Sequence, residues 1–262
     1  LSRDDNIPTR LTRAAFLFAL AYWEKLGGIG RAIEGGQCGV MQLARDKDHA
    51  QVQRGIAQLW RHPAEFAQWL EAEEASSLLG SPAPDGAWLF RQGGWARPGS
   101  VCAAMLAACG GKLTAKFGAG TIGIARVDGL WRVTGAGGVV AEAPVLVLAN
   151  GTGATALSEA STLPLAKVRG QVSHLDEGTV PALPFVLCRE AYLTPAASGI
   201  HSAGATYDLN DTDPQVRQSS HDENLAKIRS LLGDDGAASD APLRGRTGFR
   251  CVAPDRLPLV GA

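Results

Sequence analysis

The sequence predicts a two-part architecture, an α/β half with an α+β half set beside it, and three observations predict it. Helix-spaced and strand-like apolar patterns alternate from the start of the chain. An apolar run, Val145 to Leu148, ends at the glycine-rich turn Asn150-Gly151-Thr152-Gly153. The stretch from Lys167 to Tyr207 is mostly strand-like and precedes a strong amphipathic helix. With 262 residues, 45% of them hydrophobic, the chain can bury a sizeable core as one large domain or two smaller ones.

The elements follow in order. Pro8-Thr9 opens a helical pattern that runs to Lys25 and stops at Gly27-Gly28, because proline suits a first helical turn and glycine an exit. Cys38 to Ala44, CGVMQLA, reads as a strand, and Asp48 to Trp60 as a helix. Ser76 to Pro84 reads as a small-residue loop; Trp88 and Phe90 fit a strand and Gly93-Gly94 a turn. Pro98 begins a helix through Cys109 that Gly110-Gly111 terminates.

The stretch FGAGTIGIARVDGLW contains a G-x-G-x-x-G match at Gly118, Gly120 and Gly123. A pyrophosphate loop needs free N–H groups at the start of a helix that follows a buried strand. Here alternation from Ile124 to Val133 around Asp128-Gly129 predicts a hairpin instead, which makes the glycines a strand connection. Val145 to Leu148 reads as a strand buried on both faces. Ligands gather beyond the carboxyl ends of such strands, so Asn150 to Gly153 is either a cofactor loop or an ordinary turn. VRGQVSHL, FVLCREAYLTPA and GIHSAGATYD then read as β structure. Asp213-Pro214 starts an amphipathic helix that Gly233 ends, and the acidic Asp234 to Asp240 reads as solvated linker.

Charge narrows the partners. A net charge of −1 and a pI near 6.6 exclude a wholesale basic surface, so contact with nucleic acid must come from a local patch. Five cysteines without C-x-x-C pairing argue against a disulfide framework or cysteine-rich zinc site and fit a reducing, cytoplasmic setting. The dispersed histidines, without H-E-x-x-H, give no support for a metal site. No signal-peptide pattern or membrane-spanning apolar run is present. The start at Leu1 and the apolar ending RLPLVGA lead us to expect a piece from the interior of a longer polypeptide.

Eight phrases occur in a telling order: LSRDDN, CGVMQLA, QGGWARPGSVC, VLVLANGTGA, STLPLAKVRGQVSHL, YLTPA, SAGATYD and GFRCVAPDRLPLVGA. Together, and over essentially the whole chain, they resemble the C-terminal oxidoreductase module of a family of bifunctional enzymes that modify transfer RNA. That module is similar to the D-amino-acid-oxidase and glycine-oxidase group of flavoproteins, which interleave a dinucleotide-binding domain with a mixed-sheet substrate domain. The resemblance implies this two-domain flavoprotein fold without its N-terminal Rossmann unit and its C-terminal segment. Residues 1–35, 96–166 and 245–262 would form a partial, discontinuous FAD-binding domain, and 36–95 and 167–244 the substrate domain with a mixed β-sheet. It further implies FAD-dependent removal of the carboxymethyl group from 5-carboxymethylaminomethyl-uridine, thiolated or not, at the transfer-RNA wobble position. The products would be the 5-aminomethyl base and glyoxylate. An N-terminal methyltransferase module of the same polypeptide would act next.

Such chemistry needs a carboxylate anchor, and arginine, with its planar fork, makes the best one. Arg244, Arg246, Arg250 and Arg256 follow Leu243 against one acid, Asp255. By analogy with related amine oxidases Arg250 is the expected anchor, the alternative being a surface ion pair; Arg256 could instead touch phosphate. Tyr192 and Tyr207, two of only three tyrosines, could close over a base or bond a carboxylate, or could be core residues. His174 and His201 are read as structural. For the flavin, the resemblance implicates Asn150-Gly151 and the segment Arg169-Gly170-Gln171, while Trp95, after Gly93-Gly94, could line the same crevice. Lys and Arg would grip phosphates of the anticodon loop, whose unpaired bases are easily exposed. Two other readings stay open: an amino-acid or glycine oxidase acting on a free small amine, and a flavin-free fragment or binding module.

Overall fold

The computed structural model describes residues 1–233 and 243–261, so the expected linker Asp234 to Asp240 lies outside the described residues. Two compact units emerge: one from Leu1–Ala108, Gly170–Tyr207 and Pro214–Thr247, the other from Cys109–Arg169, Asp208–Asp213 and Gly248–Ala262.

In the first unit, α1 (Ile7–Lys25) is capped by Asn6, whose side chain accepts the Thr9 N–H at 3.0 Å, and it ends where Gly27 and Gly28 adopt positive φ. The two-residue β1 (Gly35–Gly36) precedes β2 (Val40–Leu43), the strand expected within CGVMQLA. Asp46 caps α2 (Lys47–Trp60), which buries Ala50, Gln53 and Ile56 at helical spacing. Next come β3 (Gln68–Leu70) and α3 (Ala72–Leu79). The loop expected at Ser76 to Pro84 is therefore corrected: its first four residues are the last turn of α3. Ser76 Oγ donates to the Ala72 carbonyl and accepts the Ala83 N–H, so a residue typical of loops serves both helix and turn. β4 (Ala87–Phe90) carries Trp88 and Phe90, β5 (Trp95–Ala96) pairs with β1, and α4 (Pro98–Ala108) starts and stops as its proline and glycines predict.

The second unit opens, after a short 3-10 turn, with a meander of β6 (Gly123–Val127), β7 (Leu130–Gly135) and β8 (Gly138–Ala143). Val127 faces Leu130 across Asp128 and Gly129, both at positive φ, as a two-residue hairpin turn of the mirror-image type requires. Gly123 thus begins a strand, and the G-x-G-x-x-G match is a strand connection. The buried strand expected at Val145 to Leu148 is a second correction. This run is irregular, with Val145 73% and Val147 79% exposed. Apolarity makes a buried strand only where neighbouring strands satisfy its backbone, and among the described residues none pairs with it. Two 3-10 turns, Gly151–Ala156 and Ser158–Ala160, follow.

The chain then enters β9 (Ala166–Asp176), whose first residues belong to the second unit and whose remainder belongs to the first. β10 (Val186–Cys188), β11 (Tyr192–Leu193) and β12 (Ile200–Gly204) return to the first unit, and β13 (Asp208–Leu209) pairs with Val168 and Arg169 in the second. The last elements are α5 (Gln218–Leu232), stopped by Gly233 in the left-handed conformation, and β14 (Arg244–Val252). The helix expected from Asp213-Pro214 starts four residues late. Arg217 is held extended at the helix entrance because its N–H and C=O both bond the Gln171 side-chain amide, each at 2.8 Å.

Within the first unit the sheet runs β9-β12-β11-β10-β2-β4-β3, with β14 also pairing β9. Register sorts its side chains into rows. Leu89, Met41, Leu187, Leu193 and Ala203 lie opposite one another in successive strands, all fully buried, and the row ends at Ser173. This face joins α3 and α5 in the main core with Leu70, Leu79, Leu225 and Ile228. On the reverse face α2 packs Ile56 against Trp88 near Phe66 and Phe90.

Candidate functional site

One residue along each strand from the apolar row lies a second row: Trp88, Gln42, Cys188, Tyr192, Gly204 and Val172. Ser202 and His174 pair just beyond it. Away from Trp88, the side chains here are half-buried, and several are polar. Tyr192, expected at the site from the sequence, stands near the middle of this row. A Cβ at position 204 would come within 3.4 Å of the Tyr192 hydroxyl, so glycine there leaves the phenol its space. Burial pushes the Cys188 thiol up to about 11, which keeps it protonated and poorly nucleophilic at neutral pH. Gln42, Cys188 and Ser202, which share this face, are not among the residues expected from the sequence, because single polar residues in short strands give no pattern to read.

The strand β9 is fixed from its other face. Besides its side-chain bonds to Arg217, Gln171 donates its N–H to Thr206 Oγ1 at 2.9 Å and accepts from Asn224 Nδ2 at its carbonyl. Asn224 Nδ2 also donates to Ser173 Oγ at 3.0 Å, so the Ser173 hydroxyl can give its own proton to His221 Nδ1, 2.7 Å away. That assignment leaves the proton of a neutral His221 on Nε2. Among the described residues Nε2 and Asn224 Oδ1 are buried without a hydrogen-bond partner, and burial lowers the His221 pKa. His201 is structural as expected: it is buried and bonds the Thr194 carbonyl through Nδ1.

The other expected site residues divide between the units. Trp95 is half-buried in the β1–β5 ribbon, where its indole lies against Gly36. Tyr207 is exposed just after β12. In the second unit Arg169 is fully buried, donating through Nε to the Asp213 carbonyl at 2.9 Å and through a terminal nitrogen to Asp208 at 3.1 Å. Asn150 and Gly151 are exposed at the entrance of a 3-10 turn, Gly151 at positive φ, where a Cβ would meet Cys251 Cβ at 4.0 Å. Arg250, on β14, and Arg256, beyond it, are both exposed. Among the described residues no helix is long and apolar enough to cross a membrane.

The sheet thus has an apolar face covered by α3 and α5 and a reverse face that, away from α2 and Trp88, carries the half-buried Gln42, Cys188, Tyr192 and Ser202. The family model for FAD dependent oxidoreductases matches residues 4–262, and the chain belongs to that family. Among individual proteins, the chain is 41% identical over 263 residues to the tRNA 5-methylaminomethyl-2-thiouridine biosynthesis bifunctional protein MnmC of Azoarcus sp. (strain BH72), the match covering 100% of this chain and 41% of that protein. It is 39% identical over 268 residues to the MnmC protein of Paraburkholderia xenovorans (strain LB400), with the same coverage. The chain thus spans about two fifths of the length of these relatives. Among solved structures, glycine oxidase from Geobacillus kaustophilus superimposes with a TM-score of 0.79 at 22% identity, covering 100% of this chain and 71% of that one. Iminodiacetate oxidase from Chelativorans sp. BNC1 gives 0.70 at 22% identity, covering 93% and 68%. These likenesses show the D-amino-acid-oxidase-like fold expected from the sequence.

Proposed function

We propose that this chain is the oxidoreductase part of a bifunctional, cytoplasmic transfer-RNA-modifying enzyme, working beside an N-terminal methyltransferase module. It removes the carboxymethyl group from 5-carboxymethylaminomethyl(-2-thio)uridine at the wobble position, leaving the 5-aminomethyl base and glyoxylate. The observation that carries this reading is the 41% identity to an MnmC protein across the whole chain. In net terms a C–H bond of the CH2 beside the carboxylate breaks, two electrons leave, and water oxygen replaces nitrogen on that carbon as the C–N bond breaks. FAD, when bound, supplies the electron acceptor.

The residues fit that cofactor unevenly. Asn150 and Gly151 suit it, because their turn is exposed and a glycine lets backbone approach a ligand closely. Arg169 and Gln171 hold their side chains inside the protein and Gly170 has none, so that segment would meet a cofactor only through its backbone. For the substrate, Arg250 is suited to take both carboxylate oxygens. Tyr192, on the accessible sheet face, is suited to hydrogen-bond the carboxymethylamine, and the exposed Tyr207 to stack on the base. Arg256 and Trp95 are assigned to RNA contact. The division of FAD-binding and substrate domains is proposed at the boundaries given above.

The test uses the full-length polypeptide and transfer RNA that carries the carboxymethylaminomethyl group. Nucleoside mass analysis should show its conversion to the aminomethyl form with stoichiometric glyoxylate. Unchanged RNA alongside oxidation of free glycine or sarcosine would replace this reading with that of a small-amine oxidase.

A further inference from the structure

We propose that Arg246, with Arg244 and His174 beside it, seats a backbone phosphate of the RNA substrate; the inference rests on the transfer-RNA reading above. The geometry follows from one glycine. A Cβ on Gly245 would lie 2.7 Å from His221 Cε1, so position 245 faces α5. By strand alternation its neighbours Arg244 and Arg246 face the other way, onto the accessible face that holds Tyr192 and Ser202. The Arg244–Asp176 ion pair, at 3.0 Å, agrees, because Asp176 shares the parity of His174 on β9.

His174 therefore sits near two guanidinium groups. Their charges, after burial, hold its pKa below the usual histidine value. One carboxylate, Asp176, bonds Arg244; Arg246 has no carboxylate partner among the described residues. Both arginines are exposed, in a chain whose net charge is −1. They form a local basic patch of the kind to which overall neutrality confines nucleic-acid contact. Two guanidinium forks and a neutral imidazole N–H match the oxygens of a phosphodiester. A substrate the size of glycine carries no phosphate, so the patch would favour an RNA-borne amine.

The test measures binding of undermodified transfer RNA to the full-length polypeptide by fluorescence anisotropy across a salt series. Arg246→Ala should weaken binding by about three- to tenfold and lower the slope of log K against log salt by about one. Arg246→Lys should keep the wild-type slope, and Asp176→Asn, which frees Arg244, should tighten binding even if position 246 tolerates no change. Unchanged affinity and slope in Arg246→Ala and Asp176→Asn, with tight wild-type binding, would overturn this assignment alone. Equal weakening of polyglutamate binding would make the patch a general anion site and also overturn it. A wild-type protein that binds no transfer RNA would overturn the RNA reading and this proposal together.

Discussion

Two rows of side chains, one residue apart on the same five strands and continuing onto β9, divide the work of the first unit. Leu89, Met41, Leu187, Leu193 and Ala203 point toward α3 and α5 and are fully buried. Trp88, Gln42, Cys188, Tyr192 and Gly204 point the other way, and beyond Trp88 they leave polar groups half-accessible. The backbone is common to both, so the difference lies in what each face meets. The apolar row gains its stability by leaving water, whereas Gln42, Cys188 and Tyr192, on the other face of the same strands, stay half-buried. Stability and activity should therefore respond to different substitutions in adjacent positions.

The largest expected effect is on the packed row. Leu187→Ala should lower unfolding free energy by about 2–5 kcal/mol, read from urea denaturation. A loss near zero would mean the row is not the core. Next comes Cys188. With its thiol near 11, it should react with iodoacetamide at pH 8 roughly two orders of magnitude more slowly than the exposed Cys102, Cys109 and Cys251, followed by peptide mass analysis. Equal labelling would show that this part of the face is open to water.

A smaller effect is expected from Gln171→Ala, which strands the Arg217 N–H and C=O and should destabilise by about 1–3 kcal/mol in the same assay. The smallest is a pH dependence. His49, His62, His174 and His221 all have pKa values lowered by burial. A depressed folded-state pKa means the unfolded chain binds protons first. Their stabilising contribution is thus complete above the unfolded value near 6.5 and is lost as pH falls through the lower folded values. Denaturation midpoints should fall from pH 7.5 to 5.5, and less steeply in His221→Gln; an unchanged slope would remove His221 from this account.

Much of the architecture was legible where the causes are local. The Asp128-Gly129 hairpin, the start of α4 at Pro98 and the stop of α5 at Gly233 each depend on neighbours in sequence. Val145 to Leu148 was not, because whether an apolar run becomes a strand depends on partners elsewhere in the chain. The same holds at the site. Arg169 and Gln171 look like chemistry in isolation, yet their partners Asp213 and Arg217 lie 44 and 46 residues away and turn both into structural ties. Arg246 and His174 carry the opposite lesson: a histidine read as structural gains neighbours through the pairing of β9 with β14.

Tyr192 and Leu193, consecutive on β11, give the most direct test. We expect Tyr192→Phe to keep the wild-type unfolding free energy within about 1 kcal/mol while lowering kcat/KM on the carboxymethylaminomethyl transfer RNA about 10- to 100-fold, the size of a lost hydrogen bond to a charged group. Leu193→Ala should instead cost about 2–5 kcal/mol of stability with turnover per folded molecule preserved. The account is contradicted if both variants lose stability alike and neither changes turnover per folded molecule.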